Sequence, residues 1–230
     1  MTEFFRFPHT PHLAWLGHDE PRGDKRLSHA QAHEFLSDDV VVAEKIDGAN
    51  LGFSLDDSGR LRVQNRGQYL VEPFHGQFTR LSPWLALHAD TIANGLHGLD
   101  LILFGEWCAA QHSLAYDRLP DLFIAFDVYH RGLAKFWSSK RRNALVRQLG
   151  LICVPDIATG RMTLAQLRAI LTTQPSSFRR GSMEGLVIKR ETPLWCMARA
   201  KLVNADFTQT INEHWRSHAI NWNVVRPALP

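Results

Sequence analysis

Lys45 lies in a segment whose residue types suit a nucleophilic lysine. The segment reads Glu44-Lys45-Ile46-Asp47-Gly48-Ala49-Asn50, and it follows the apolar run Val40-Val41-Val42-Ala43. A lysine is protonated at neutral pH, and it becomes a nucleophile where burial and neighbouring cations lower its pKa. The pattern therefore favours covalent catalysis through Lys45. Taken alone, a lysine at the end of a strand is more often a surface charge.

Five further motifs follow Lys45, and together they supply carboxylates, an aromatic ring and cations. They are Gln64-Asn65-Arg66-Gly67, Phe104-Gly105-Glu106, Phe123-Ile124-Ala125-Phe126-Asp127, Glu184-Gly185-Leu186-Val187-Ile188-Lys189 and Arg199-Ala200-Lys201. Glycine lets a backbone approach a ligand closely, so Glu106 and Glu184 are candidates to bind a ribose hydroxyl and a divalent metal. The cations could surround a triphosphate and offset the charge that builds as phosphorus is attacked. This set suits the transfer of a nucleotidyl group through a lysine.

Several of these residues have ordinary structural alternatives. Phe126 could stack on a purine, but a phenylalanine in an apolar strand is more often a core residue. Asp47 and Asn50 could orient the lysine or an incoming strand end, and a turn explains them equally well because Asp-Gly is a strong turn pair. The sequence contains neither a P-loop nor a dinucleotide fingerprint nor a His-Glu-x-x-His zinc motif.

Composition indicates a soluble globular protein of one domain. The chain has 230 residues, of which 45% are hydrophobic and 21% are charged. It has no apolar run long enough to span a membrane and no signal peptide, and its three cysteines suggest neither a disulfide framework nor a zinc site. We therefore expect a cytoplasmic protein without a membrane partner.

The charge of the chain is unevenly distributed along the sequence. Residues 1–130 contain 10 Lys/Arg and 18 Asp/Glu, whereas residues 131–230 contain 16 Lys/Arg and 5 Asp/Glu. Because nucleic-acid affinity comes largely from cations that meet phosphates, the basic second half suggests a phosphate-rich partner. A solvated charged surface explains the same pattern about equally well.

Hydrophobic periodicity and turn residues predict strands with interspersed helices. Helices are expected over residues 28–37, 82–94, 138–149, 163–172 and 207–219, the first and fourth beginning with capping boxes at Ser28/Gln31 and Thr163/Gln166. Strands are expected at residues 40–43, 51–55, 60–64, 101–104, 122–126, 186–188 and 197–202. The opening residues 7–13 contain two prolines and should be extended or looped. This pattern indicates an α+β protein with antiparallel sheets.

The ordered motifs resemble those of the covalent nucleotidyltransferase superfamily of RNA ligases, DNA ligases and mRNA capping enzymes. Within it, the chain is most similar to ATP-dependent RNA ligases of the nick-sealing type. The opening Phe7-Pro8-His9-Thr10-Pro11-His12-Leu13 and the late segment from Arg199 to Phe207, followed by Glu213-His214-Trp215, are similar to their signatures. The resemblance covers roughly residues 7 to 216.

The resemblance implies a nucleotidyltransferase domain of two packed antiparallel sheets with flanking helices, and a nucleotide groove between the sheets. It implies that Lys45 attacks ATP to form lysyl-AMP, in the presence of Mg²⁺ or Mn²⁺, and that AMP then activates a 5′-phosphate for attack by a 3′-hydroxyl. Glu184 is the implied metal residue. The implied nucleotide-binding residues are Glu44, Ile46, Asp47, Asn50, Arg66, Glu106, Phe126, Glu184, Lys189, Arg199 and Lys201.

Two departures from the family pattern bear on this expectation. Arg199 stands where a lysine often begins the last motif, and a guanidinium is bulkier and forked. The expected single domain spans residues 1–230 without an appended oligonucleotide-binding barrel, so recognition of RNA ends in a nicked or bridged duplex would rest on this domain or on a partner protein. An RNA-repair ligase is the leading expectation. The alternatives are a DNA ligase, a guanylyltransferase-like enzyme and a non-catalytic domain that binds nucleic-acid ends.

Overall fold

Eleven strands form one hydrogen-bonded sheet in the computed structural model, which describes residues 3–17, 25–208 and 220–226. The strands are β1 (Val40–Lys45), β2 (Ala49–Leu55), β3 (Leu61–Asn65), β4 (Tyr69–Leu70), β5 (Leu101–Trp107), β6 (Phe123–His130), β7 (Lys135–Trp137), β8 (Ile152–Cys153), β9 (Asp156–Gly160), β10 (Gly185–Glu191) and β11 (Trp195–Val203). Their order is β4-β3-β2-β5-β6-β7-β11-β10-β1-β9, with β8 beside β6.

Five helices flank the sheet in the described part of the chain. They are α1 (His29–Phe35), α2 (Leu81–Leu96), α3 (Ser139–Gln148), α4 (Leu164–Thr173) and α5 (Ala205–Thr208). The predicted capping boxes at Ser28/Gln31 and Thr163/Gln166 are both present, and they satisfy backbone N–H groups at the starts of α1 and α4. Of the helix predicted over 207–219, residues 209–219 lie outside the described residues.

The sheet has two arms, which the short strand β7 connects. The arm β4-β3-β2-β5-β6 packs one face against α2 and α3 through a core that includes Phe53, Leu103 and Ile92. The arm β11-β10-β1-β9 packs against α1 and α4 through a core that includes Val42 and Leu167. On the opposite face, smaller apolar clusters that include Phe7 with Phe104, and Ala43 with Ile124, pack beside the polar side chains of the site.

The predicted α+β class with antiparallel pairing is confirmed, but the sheet connectivity differs from the prediction. Strand pairs are antiparallel except β6 with β8, and hydrogen bonds run without a break from one arm to the other. The connection depends on Tyr129 opposite Phe136 and on Trp195 opposite Trp137, which join β7 to both arms. These pairings link distant segments through a three-residue strand, and periodicity alone carries no signal for them.

None of the helices in the described ranges is both long and apolar enough to cross a membrane.

Candidate active site

Lys45 is the last residue of strand β1. Its side chain faces Glu184 at a point where strands β10 and β11 approach each other closely. Lys45 pairs with Gly185 of β10, and a Cβ built on Gly185 would lie 2.6 Å from the carbonyl oxygen of Leu202 in β11. Glycine therefore lets β10 begin in this position, directly after Glu184. The Nζ of Lys45 lies 2.6 and 2.7 Å from the two carboxylate oxygens of Glu184. The two residues form an ion pair whose side chains are 25% and 12% exposed.

The charge environment of Lys45 differs from the one predicted. Burial acts to lower the pKa of Lys45, but the negative charges of Glu184, Asp47 and Glu106 outweigh it, so the pKa lies above its ordinary value. The expectation that burial and nearby cations depress this pKa is therefore wrong. Its neighbours are carboxylates, which stabilise the ammonium form.

Glu106 lies on β5 opposite Asn50 of β2, close enough to Lys45 for the two charges to interact. Burial, aided by the charges of Asp47 and Glu184 and opposed by Lys45, raises the pKa of Glu106 to about 8. At neutral pH this side chain is therefore mainly a neutral acid that can donate a hydrogen bond. The Asn50 Oδ1 is buried and has no hydrogen-bond partner among the described residues, which leaves an acceptor available to a ligand.

A pocket lies over these residues and draws its walls from both arms of the sheet. Phe126 lines it from β6 and contacts Phe7 edge to face, with ring centroids 5.3 Å apart. The lining residues come from the N-terminal segment, β1, β2, β5, β6, α3, β10, β11 and neighbouring loops: Phe7, Thr10, Ala43, Glu44, Lys45, Ile46, Asn50, Arg66, Glu106, Phe126, Asp127, Arg142, Val154, Val187, Lys189 and Arg199.

Asp127 holds two of the predicted phosphate-binding cations. Its carboxylate oxygens lie 2.7 Å from the Lys189 Nζ and 2.6 Å from the Arg199 Nη1. Burial acts to raise the pKa of Asp127, but the charges of Arg199 and Lys189 outweigh it and the pKa falls below its usual value. Arg199 also stacks over the ring of Phe136 at 3.8 Å. The two cations thus share one carboxylate, and the three groups together keep a net positive charge at the pocket.

Lys201 lies on β11 opposite Val187 and next to the N-terminal segment. Its backbone N–H donates to the carbonyl of Pro11, and its own carbonyl accepts from Leu13. The positive charge of Lys201 also acts on Glu184. Burial raises the pKa of the Glu184 carboxyl above its usual value, and the charges of Lys45 and Lys201 oppose this rise. Lys201 is therefore an electrostatic neighbour of the Lys45–Glu184 pair, although it does not line the pocket.

The residues on either side of Lys45 are anchored by loops distant in sequence. The buried carboxylate of Glu44 accepts hydrogen bonds from the Ser176 hydroxyl and from the Ser177 N–H, and burial raises its pKa. Ile46 is buried against the pocket. The Asp47 N–H donates to the Tyr116 hydroxyl at 2.7 Å.

A loop after β5 holds Asp47, and residues 220–226 hold that loop. The Ser113 N–H donates to the Asp47 carboxylate at 2.7 Å, and the His112 Nδ1 lies 3.9 Å from it. Asn223, which is 3% exposed, donates through Nδ2 to the carbonyls of Cys108 and Ala110. Its Oδ1 accepts from the Tyr116 N–H at 2.8 Å.

The donor set around Lys45 fits a metal only in combination with a substrate. The described residues contain no group of three His, Cys, Asp or Glu side chains placed to hold an ion. Glu184 nevertheless offers carboxylate oxygens beside Lys45. Mg²⁺ commonly takes one or two carboxylates and completes its shell with water and substrate phosphates, so this set suits such an ion.

The structure brings most of the predicted residues together and adds others. Lys45, Glu106, Phe126 and Arg66 line one pocket, with Glu184 bonded to Lys45. Sequence reasoning missed the roles of the residues that hold these side chains: Phe7, Asp127, Tyr116, Ser176 and Asn223. Asp127 directly follows Phe126 and Phe7 opens the N-terminal signature, so both had a local signal. Tyr116, Ser176 and Asn223 act through distant contacts and had none.

A family model described as RNA ligase matches residues 38–203, which is most of the chain. No curated protein matches it.

Among solved structures, the chain is similar to forms of Naegleria gruberi RNA ligase. A variant in its apo form has 24% identity and a TM-score of 0.59, and the match covers 77% of this chain and 52% of that one. A variant with ATP and Mn has 21% identity and a TM-score of 0.65 over 92% and 59% of the two chains. A variant with AMP and Mn has 21% identity and a TM-score of 0.60 over 89% and 63% of the two chains. The chain thus spans between half and two thirds of the length of these proteins.

Proposed function

The chain belongs to the RNA ligase family, and we propose that it is an ATP-dependent RNA ligase that joins 3′-hydroxyl and 5′-phosphate ends through lysyl-AMP. The observation that carries the proposal is the placement of Lys45 beside Glu184, in a pocket with Glu106 and Phe126. A nucleophile, an aromatic platform and carboxylates converge there from distant parts of the sequence. The solved relatives with ATP and Mn or with AMP and Mn support the same chemistry.

In the proposed first step, Lys45 attacks the α-phosphorus of ATP. Its ammonium must first lose a proton, and the Glu184 carboxylate at 2.6 Å is its hydrogen-bonded acceptor. The Nζ–phosphorus bond then forms, the bond from the α-phosphorus to the bridging oxygen breaks, and pyrophosphate leaves with the electron pair. A divalent ion held by Glu184 and phosphate oxygens would supply positive charge that lowers the Lys45 pKa and stabilises the transition state.

The remaining residues would bind and orient the nucleotide. Phe126 would stack on adenine, with Glu44 and Ile46 near its edge. Neutral Glu106 would donate a hydrogen bond to the ribose, where Asn50 offers a buried acceptor. Phosphate and sugar contacts would come from the cations Arg66, Lys189, Arg199 and Lys201, with Asp47 orienting the lysine.

In the later steps, AMP would pass from Lys45 to a 5′-phosphate, and a 3′-hydroxyl would attack that phosphate and release AMP. The RNA ends would be held in a nicked or bridged duplex, with a partner protein or domain as a further source of end recognition. The nucleotide groove would lie between the two arms of the sheet, which would pack as two facing layers. An RNA-repair role in the cytoplasm is consistent with this substrate.

Intact-mass measurement tests the proposal directly. After incubation with ATP and Mg²⁺ or Mn²⁺, the wild-type protein should gain the mass of AMP, and Lys45→Ala should not. An adduct that persists in Lys45→Ala would reject Lys45 as the nucleophile. A GMP adduct from GTP, without one from ATP, would favour the guanylyltransferase alternative. No adduct from either nucleotide would favour a non-catalytic domain that binds nucleic-acid ends.

A further inference from the structure

Residues 220–226 lie against the loop that follows β5 and fix its shape. The Gln111 N–H donates to the carbonyl of Asn221, the Asn223 N–H donates to the carbonyl of Ala109, and the Arg226 N–H donates to the carbonyl of Leu119. These backbone hydrogen bonds span the loop from one end to the other. We call residues 220–226 the strap and residues 108–119 the strapped loop.

Asn223 is the centre of this contact and satisfies polar groups that water cannot reach. Its amide nitrogen donates to the Cys108 carbonyl at 2.8 Å and to the Ala110 carbonyl at 3.2 Å, and its oxygen accepts from the Tyr116 N–H at 2.8 Å. One side chain therefore joins both ends of the segment from Cys108 to Tyr116. A buried carbonyl left without its donor is costly, so the Asn223 amide stabilises one conformation of the strapped loop.

The strapped loop in turn contacts the turn that follows Lys45. The Tyr116 hydroxyl, on a side chain that is 2% exposed, accepts from the Asp47 N–H at 2.7 Å. Gly48 fits tightly on the other side of this turn, since a Cβ there would lie 2.6 Å from the carbonyl oxygen of Trp107. The turn is thus held between β5 and Tyr116, and a shift of Tyr116 would move the backbone that carries Lys45.

We propose that Asn223 and Tyr116 are positioning residues for the lysine nucleophile, so that the strap is a working part of the active site. Asn223 fixes Tyr116, Tyr116 fixes the Asp47 amide, and the amide fixes the turn that aims Lys45 Nζ. The role in adenylylation rests on the proposed function, whereas the chain of hydrogen bonds is independent of that function.

Single-turnover adenylylation of four proteins tests the proposal: wild type, Asn223→Ala, Tyr116→Phe and the double variant. Because a misplacement of about 1 Å at a reacting atom can cost on the order of 10²-fold, each single variant should lose about 10-fold to 100-fold in the rate at saturating ATP. The KM for ATP should stay within about twofold of the wild-type value, because neither residue lines the pocket. The double variant should be no slower than the slower single variant, because both act through one hydrogen bond.

Ile92→Ala is the matched control for lost stability. Ile92 is fully buried in α2 within the core of the first arm, and its truncation should lower stability without touching the strap. Its adenylylation rate should stay within about twofold of wild type below its melting temperature. If Ile92→Ala slows the reaction as much as Asn223→Ala does, or if the effects of Asn223→Ala and Tyr116→Phe multiply, the proposal is overturned. Should Asn223→Ala not fold, Tyr116→Phe carries the test, because it removes only the hydroxyl to which the Asp47 N–H donates.

Amide hydrogen exchange separates this proposal from the proposed function. The Asp47 N–H should exchange at least about tenfold faster in Tyr116→Phe and in Asn223→Ala, whereas the Phe53 N–H within β2 should exchange at its wild-type rate. If the wild-type protein forms no lysyl-AMP, the ligase activity is rejected. Hydrogen exchange at Asp47 then still tests the positioning role. Unchanged exchange at Asp47 in both variants would overturn the positioning role.

Discussion

At the scale of single residues, the folded structure sets the protonation state of Lys45. The carboxylates of Glu184 and Asp47, whose charges act on it most strongly, hold it as an ammonium. The lysine and the carboxylates lie in separate sequence motifs, so the sequence predicted that they belong to one site but not that Lys45 and Glu184 form an ion pair. The sign of the pKa shift depends on which charges become neighbours after folding.

Truncating either charged neighbour of Lys45 should slow adenylylation. Glu184→Ala and Lys201→Ala should each lower the rate on the order of 10²-fold to 10³-fold, because each removes a preorganised charge near the reacting phosphorus. Quenched-flow formation of lysyl-AMP measures the rate, and thermal melting reports whether the fold persists. Lys140→Ala, on the exposed side of α3, is the matched control and should react at the wild-type rate. Wild-type rates for Glu184→Ala or Lys201→Ala would contradict the assigned roles.

Glu106 should make the stability of the protein depend on pH. Its pKa rises from 4.5 to about 8 on folding, so the folded state binds the extra proton. The stability that Glu106 contributes as a neutral acid is fully present below about pH 4.5 and is lost as pH rises through 8. Relative to wild type, Glu106→Gln should therefore become progressively more stable between pH 5 and pH 8. Urea unfolding of both proteins at several pH values measures this difference, and a difference that does not vary with pH would reject the shift.

At the scale of elements, the predictions succeeded where the signal is local. Capping residues at Ser28 and Thr163 correctly marked the starts of α1 and α4. Strand ends were less certain: β5 continues past Phe104 to Trp107, so Glu106 lies within a strand rather than after one. The local apolar pattern ends at Phe104, whereas the hydrogen bonds of β2 and β6 carry β5 further.

Asp127 joins three elements, since it lies on β6 and binds Lys189 of β10 and Arg199 of β11. Asp127→Asn should lower the free energy of unfolding by about 3–5 kcal/mol, because it leaves two largely buried cations without a counter-charge. The more exposed pair Asp38–Arg190, with side chains 64% and 30% exposed, is the control, and Asp38→Asn should cost about 1 kcal/mol or less. Urea denaturation measures both. Equal losses would show that the buried carboxylate does not hold the two arms together.

At the scale of the whole molecule, the acidic and basic parts of the sequence are not separate bodies. β1 from the acidic first part pairs with β9 and β10 from the basic second part. Neither the pairing nor the continuous sheet was predicted, because β1 lies more than a hundred residues before β9 and β10, and the continuous sheet depends on the three-residue strand β7. Lys45 therefore lies where the acidic and basic segments meet. Its carboxylate neighbours and the cations of a phosphate site consequently lie around the same pocket.

Sealing of nicked duplexes should require ribose on the side that supplies the 3′-hydroxyl. The 2′-hydroxyl is the group by which a protein tells RNA from DNA, and the family match favours RNA. Nicks with ribose at the terminal nucleotides of that side should be sealed clearly faster than nicks with deoxyribose there. Strands that are already 5′-adenylated serve as a control, because their sealing bypasses lysyl-AMP formation. Equal sealing of all-DNA nicks would favour a DNA ligase.

The strap also affects how the protein is made. Asn223 contacts Tyr116 from 107 residues further along the chain. While the chain is still on the ribosome, earlier strands can pair as they emerge, but the loop that holds the Lys45 turn cannot be fixed until residue 223 has left the exit tunnel. Contacts of such long sequence separation also form late in folding, because their loop-closure entropy must be overcome first. The Lys45 turn of the nascent protein therefore acquires its final support only after Asn223 has emerged from the ribosome.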